Sequence, residues 1–189
     1  FGCVDLHHPG AAEEAKCCLA SGMAGIGELA CYDSGWGPEE LARLAPVMEV
    51  CRAADVPVLL HTNEPVGHAY PGKTPNTLAE IYALARRFPG NRIVLAHWGG
   101  GLFVYHLLRK EAAEVLANVH YDTAASPYLY DARIWKVAAD TAGADRILLG
   151  SDFPLLPAGR YLDQIRQSPL TPEAQAAVCG GNAARLLKL

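Results

Sequence analysis

The sequence predicts an α/β protein of the (β/α)₈ barrel type, and three observations predict it. Strand-like apolar runs alternate with helical patterns along the chain, which is the arrangement of α/β domains. The runs Val56–His61 (VPVLLH), Arg92–His97 (RIVLAH) and Arg146–Asp152 (RILLGSD) are rich in Val, Ile and Leu almost without interruption, as parallel strands covered on both faces are. Polar residues then cluster where each run should end. A barrel draws its site from the C-terminal ends of several strands. An open doubly wound sheet gathers its ligands at one switch point, so the barrel is favoured.

The elements follow in order. Phe1–Leu6 (FGCVDL) reads as the first strand, and 11–21 as a helix that Gly22 stops. Ala24–Ala30 (AGIGELA) is the second strand. Pro38 stands where a helix begins, with Glu39 and Glu40 in its first turn. That helix should reach about Ala54, and Pro46 is the point at which it can bend. After the strand at 56–61, Thr77-Leu78-Ala79-Glu80 matches a capping box and opens a helix towards Phe88. After the strand at 92–97, Leu102 to Leu116 reads as a helix. Asn118–Thr123 (NVHYDT) alternates as a strand, Asp131 to Thr141 is helical, Arg146–Asp152 is the sixth strand, and short helices complete the chain. No internal repeat or domain boundary interrupts residues 1–189, which are expected to form one domain.

Composition removes several function classes. The chain has 189 residues, 51% of them hydrophobic and 19% charged, enough for a sizeable core. With a net charge of −4 and no basic block, it lacks the electrostatic footprint of nucleic-acid binding. No apolar run approaches the ~18–20 residues of a membrane span, and no signal peptide is visible. The six cysteines form no C-x-x-C and lie mostly in apolar runs, where free Cys behaves as a small hydrophobe. A reducing, cytoplasmic setting is expected. The glycines Gly22, Gly25 and Gly27 precede a strand and do not form the dinucleotide fingerprint. The phosphate-binding loop and the serine nucleophile elbow are also absent.

The strand ends carry Asp5, His7 and His8, then Glu28, His61, His97, Asp122 and Asp152. Brought together by separate strands, His, Asp and Glu make a site for a divalent cation, zinc foremost and manganese or iron next. Such an ion acidifies water and polarises a carbonyl. Each residue also has a plainer reading. His61 would be a buried histidine bonded to backbone, and Asp152 a helix cap. Glu28 either ligates metal, contacts substrate or pairs with an arginine. Asn63, Glu64 and His68 lie in a Gly/Pro-rich loop after His61, facing either substrate or solvent. Trp36 and Trp98 are candidates to wall a pocket, while Trp135 reads as packing. His120 and Asp122 share a strand face, and burial is the plainer reading for both.

Three segments, Pro57–His61 (PVLLH), Ile93–Gly101 (IVLAHWGGG) and Arg146–Pro154 (RILLGSDFP), together with the tail 181–187 (GNAARLL), carry a resemblance. In their order and spacing the chain resembles the amidohydrolase superfamily, in its "amidohydrolase 2" branch, which includes the aminocarboxymuconate-semialdehyde decarboxylase group. The resemblance implies a distorted (β/α)₈ barrel. It implies His61 as a metal ligand on strand five and His97 on strand six as a second ligand or the residue polarising the substrate. Asp152 on strand eight would be both ligand and proton-transfer group. Glu28, Asn63, His68 and Trp98 are the expected substrate contacts. The glycines after His97 would let backbone approach a ligand closely. The branch's H-x-H of strand one has no counterpart here, since His7-His8 is an adjacent pair. Counted back from Asp152, Phe1–Leu6 is strand three, so two β/α units, about 60–90 residues, are expected to precede it in a longer protein.

The expected activity is hydrolysis of a small carbonyl, amide or lactone compound. Asp152 would take a proton from a metal-activated water and return it to the leaving group. His97 would stabilise the oxyanion. The alternatives are non-oxidative decarboxylation on the same barrel, or an inactive truncated barrel whose sheet edges need a partner. A small-molecule substrate and a homodimer are the expected partners.

Overall fold

The computed structural model describes residues 1–189. Five parallel strands form one sheet in sequence order: β1 (Ile26–Leu29), β2 (Pro57–Leu60), β3 (Arg92–Leu95), β4 (Val119–Asp122) and β5 (Ile147–Leu148). Each strand is followed by helical chain that returns it for the next parallel pairing, the (β/α) barrel succession. Six strands were expected. Phe1–Leu6 forms a single bridge, Gly2 to Ile26, held by Gly2 N–H to the Gly25 carbonyl (2.9 Å) and Gly27 N–H to the Gly2 carbonyl (2.7 Å). Beyond Gly2 the ladder does not continue, and the Asp5 carboxylate accepts the His7 N–H at 2.9 Å and closes a turn.

The helices are α1 (Ala11–Ala20), α2 (Pro38–Ala53), α3 (Leu78–Arg87), α4 (Ala112–Val115), α5 (Ser126–Leu129), α6 (Ile134–Ala142), α7 (Ala158–Gln167), α8 (Pro172–Ala176) and α9 (Asn182–Leu187). Pro46 sits on the solvent side of α2, where the carbonyl it leaves unbonded can meet water, and the helix continues through it. Thr77 and Glu80 form the expected capping box, with Thr77 Oγ1 accepting Glu80 N–H (3.1 Å) and Glu80 Oε2 accepting Thr77 N–H (2.8 Å).

The stretch Leu102–Leu116 is not the single helix its pattern suggested. It runs as 3₁₀ turns to Leu107, turns outward at Leu108, and becomes helical again only over the four residues of α4. The cause lies upstream. His97, Trp98, Gly99, Gly100 and Gly101 all have positive φ, so the chain leaves β3 in a left-handed turn and enters the next segment short of a regular helix.

The two faces of the sheet have different covers. Ile26, Val58, Leu60, Ile93, Leu95, Val119, Tyr121 and Ile147 join the large core under the helices. The opposite face carries Leu59, Val94 and Leu148, which meet Ala183 and Leu186 of α9 in a small second cluster. The register Leu59↔Val94↔His120 runs along that face. No helix of the chain is long and apolar enough to cross a membrane.

Candidate active site

The strand termini build the site. Strand β1 presents Glu28, β2 is followed directly by His61, and β3 is followed by Ala96 and His97. The ladder continues past the strands, with His61 N–H donating to the Leu29 carbonyl (2.8 Å) and Ala96 N–H to the Leu60 carbonyl (2.9 Å). The main chain at His61 is fixed further by Trp36, whose fully buried indole N–H donates to the His61 carbonyl at 2.9 Å. Thr62 Oγ1 donates to the Ala96 carbonyl and links the ends of β2 and β3.

Glu28, His61 and His97 each offer a ligand atom, and those atoms lie within 4.8 Å of one another. Glu28 Oε1 is 2.8 Å from His61 Nδ1 and 3.9 Å from His97 Nε2. The imidazole rings stand edge to face with centroids 5.1 Å apart. Burial by itself would raise the Glu28 carboxyl, but the hydrogen bond and charge of His61, with His97 behind it, hold it below the usual range. His97 Nδ1 lies 2.9 Å from the Ala124 carbonyl. A carbonyl can only accept, so Nδ1 carries a hydrogen, and Nε2 is the ring nitrogen that faces Glu28.

The three side chains fit a divalent cation on the evidence of one orphaned atom. His61 Nε2 is buried and has no hydrogen-bond partner, a costly condition for a ring nitrogen. Two imidazoles and a carboxylate are the donor set that Zn²⁺, Mn²⁺ or Fe²⁺ accept.

The other expected residues fall in several environments. Asp152 follows β5, is partly exposed and has φ +58, but its carboxylate is not in the three-residue cluster. Burial pushes Tyr161 up to about 12, with the charges of Asp152 and Asp122 adding to the rise. Asn63 is fully buried. Its Oδ1 accepts Thr74 N–H (2.8 Å) and Thr74 O–H (2.6 Å), and its Nδ2 donates to the Thr74 carbonyl (3.1 Å). The whole amide therefore closes the base of the loop after β2. His68 is exposed further along that loop, against Tyr70. Trp98 is fully buried, edge-on to Trp135 at 5.3 Å, with its indole N–H donating to Ser126 Oγ (2.9 Å). Its ring belongs to the core beneath the site. The glycines after His97 make room for protein. A Cβ on Gly99 would meet the Tyr121 ring at 2.9 Å, and one on Gly100 would meet the Asn63 carbonyl.

Two residues received little weight from the sequence. Tyr32 is largely exposed and stands over His61, ring centroids 5.9 Å apart. Its position in a loop after β1 gave no signal. Asp122 closes β4, and Oδ1 accepts the backbone N–H of His97 (3.2 Å) and of Ala124 (2.8 Å). Burial pushes the Asp122 carboxyl up to about 6, against the charge of His97 and those two donors. Its place at a strand end was the available signal.

The amidohydrolase family model matches residues 1–189. The chain belongs to the amidohydrolase family. The chain is 31% identical over 140 residues to L-fucono-1,5-lactonase of Burkholderia ambifaria, a stretch covering 61% of this chain and 48% of that protein. The match thus spans about half the length of the curated relative. Among solved structures, a 2,6-dihydroxybenzoate decarboxylase complexed with 2,6-dihydroxybenzoate superposes with TM-score 0.78 at 20% identity, covering 100% of this chain and 70% of that one. The 5-carboxyvanillate decarboxylase from Sphingomonas paucimobilis gives 0.74 at 18%, covering 100% and 66%. A dihydroxybenzoic acid decarboxylase from Polaromonas sp. JS666, with bound manganese and the inhibitor 2-nitroresorcinol, gives 0.72 at 20%, covering 95% and 65%. At these identities the likeness establishes a shared barrel fold.

Proposed function

We propose that this amidohydrolase is a metal-dependent hydrolase of small carbonyl compounds, with a lactone as the foremost substrate class. The observation that carries the reading is the convergence of Glu28, His61 and His97, whose ligand atoms lie within 4.8 Å of one another, with His61 Nε2 left without a partner. The lactonase relative supports the substrate class. A divalent cation held by these three side chains would polarise the substrate carbonyl and acidify water. Zinc and manganese both suit the donors.

The chain's own groups divide the remaining work. His97 presents Nε2 to the site because the Ala124 carbonyl occupies Nδ1. That nitrogen is the ligand atom His97 offers a cation beside Glu28 and His61. Asp152 is the proposed proton carrier, taking the proton of the attacking water and passing it to the leaving oxygen. Tyr32 lies where a substrate ring would cover His61.

Decarboxylation of a hydroxylated aromatic acid is the second reading, favoured by the activities named for the structural neighbours. One experiment separates the two. The whole protein is loaded with Zn²⁺ or Mn²⁺ and assayed on aldono-lactones for acid release and on dihydroxybenzoates for CO₂ release. Metal-dependent lactone opening supports the first reading. CO₂ release alone replaces it with the second, and lactone opening unchanged by chelation overturns the role of the metal.

A further inference from the structure

We propose that Asp122 is a positioning residue that fixes which nitrogen of His97 faces the site. The inference rests on the site reading above and adds a residue to it. Asp122 Oδ1 accepts two backbone N–H groups, that of His97 at 3.2 Å and that of Ala124 at 2.8 Å. One carboxylate oxygen therefore ties the ends of β3 and β4 to each other. The tie aims the Ala124 carbonyl at His97 Nδ1, 2.9 Å away. The histidine is thus held at its main chain by Asp122 and at its ring by the peptide that Asp122 holds.

The same strand end grips β5 on its other side. Thr123 Oγ1 donates to the Gly150 carbonyl (2.9 Å) and accepts the Gly150 N–H (3.1 Å). Residue 150 has little room for a side chain, since a Cβ there would come within 3.1 Å of the Asp122 carboxyl carbon. The segment 122–124 is therefore a bracket between His97 and the turn leading to Asp152. Partners behind a metal-site histidine orient its ring and select its tautomer.

The test compares Asp122→Ala with Asp122→Asn in the whole protein. The amide oxygen of Asn can still accept both N–H groups, whereas Ala removes the acceptor. Nitrogen-15 chemical shifts of the His97 ring report the tautomer in metal-free protein, and Zn²⁺ titration reports affinity. The wild type should carry its ring proton on Nδ1. D122A should mix the tautomers and weaken Zn²⁺ binding about 10–100-fold, and D122N should restore both. A folded D122A with unchanged tautomer and affinity overturns the proposal, as does a D122N no better than D122A. If D122A does not fold, the wild-type spectrum still decides, because a proton on Nε2 overturns it outright. A wild type that binds no Zn²⁺ or Mn²⁺ defeats the metal-dependent function and leaves the tautomer result to judge Asp122 alone.

Discussion

Gly100 and Asn63 are in backbone contact, so close that any Cβ at position 100 would press well inside 3.0 Å of the Asn63 carbonyl oxygen. A Cβ on Gly101, next in the chain, would meet nothing within 4 Å. Both have positive φ, +62 and +99, so an alanine at either is strained by about 1–2 kcal/mol. The contact adds to that cost only at position 100. Gly100→Ala should therefore lower the thermal midpoint clearly more than Gly101→Ala. Equal losses in a melting experiment would show that the contact with Asn63 does not matter.

Removing a member of the cluster should remove the cation. His61→Asn and Glu28→Gln are each expected to abolish stoichiometric Zn²⁺ or Mn²⁺ in metal analysis of folded protein. His97→Asn is expected to weaken Zn²⁺ or Mn²⁺ binding as well, and turnover with it. Chelation should silence the wild type, and added cation should restore it. Full metal content in His61→Asn would remove that residue from the ligand set.

Trp98 fills the core beneath the site and holds Ser126. Trp98→Ala should cost about 3–5 kcal/mol of stability. Trp98→Phe keeps most of the volume but leaves the buried Ser126 hydroxyl without its donor, costing about 1–3 kcal/mol. Urea unfolding measures both, and a shift in midpoint below 1 kcal/mol equivalent for the alanine variant would contradict the packing role.

The six thiols should divide by burial. Cys3, Cys17 and Cys179 are exposed, while Cys18, Cys31 and Cys51 are buried. Burial pushes Cys31 and Cys51 up to about 12, with the Glu40 charge adding to the effect at Cys31. A raised value keeps the thiol neutral through pH 8, and the neutral thiol is not the nucleophile. Iodoacetamide at pH 8 should label the three exposed cysteines first, and denaturant should open the remainder. Mass spectrometry showing Cys51 labelled as fast as Cys17 in folded protein would contradict this.

Much of the barrel was legible because its signals are local. Continuous apolar runs locate β2 and β3 closely, and Thr77 with Glu80 locates the start of α3. The family relation was also readable from the ordered segments around His61, His97 and Asp152. The strand at Phe1–Leu6 was overread, since a run of apolar residues does not reveal that the ladder stops at Gly2. The helix expected after Leu102 failed for a different reason: five positive-φ residues set the direction in which the chain leaves β3. At the site, a histidine at a strand end announces a possible ligand. That Glu28 would stand 2.8 Å from His61 depends on how adjacent strands are staggered, which pattern alone does not encode. Asn63 and Trp98 show the converse limit, because polarity and aromaticity do not say whether a side chain meets a ligand or its own scaffold.

The last helix, α9, is fastened to distant parts of the chain. Arg92 donates to the Leu186 carbonyl (2.9 Å), Lys188 reaches Asp55 (2.6 Å), and Asn182 donates to the carbonyls of Ala144 (2.7 Å) and Ile147 (2.6 Å). During synthesis all five strands emerge from the ribosome before α9 does. Until then Leu59, Val94 and Leu148 lack the apolar cover that Ala183 and Leu186 provide. The nascent sheet thus passes through an interval with one greasy face open to the cell, when it is most exposed to aggregation and to chaperone capture.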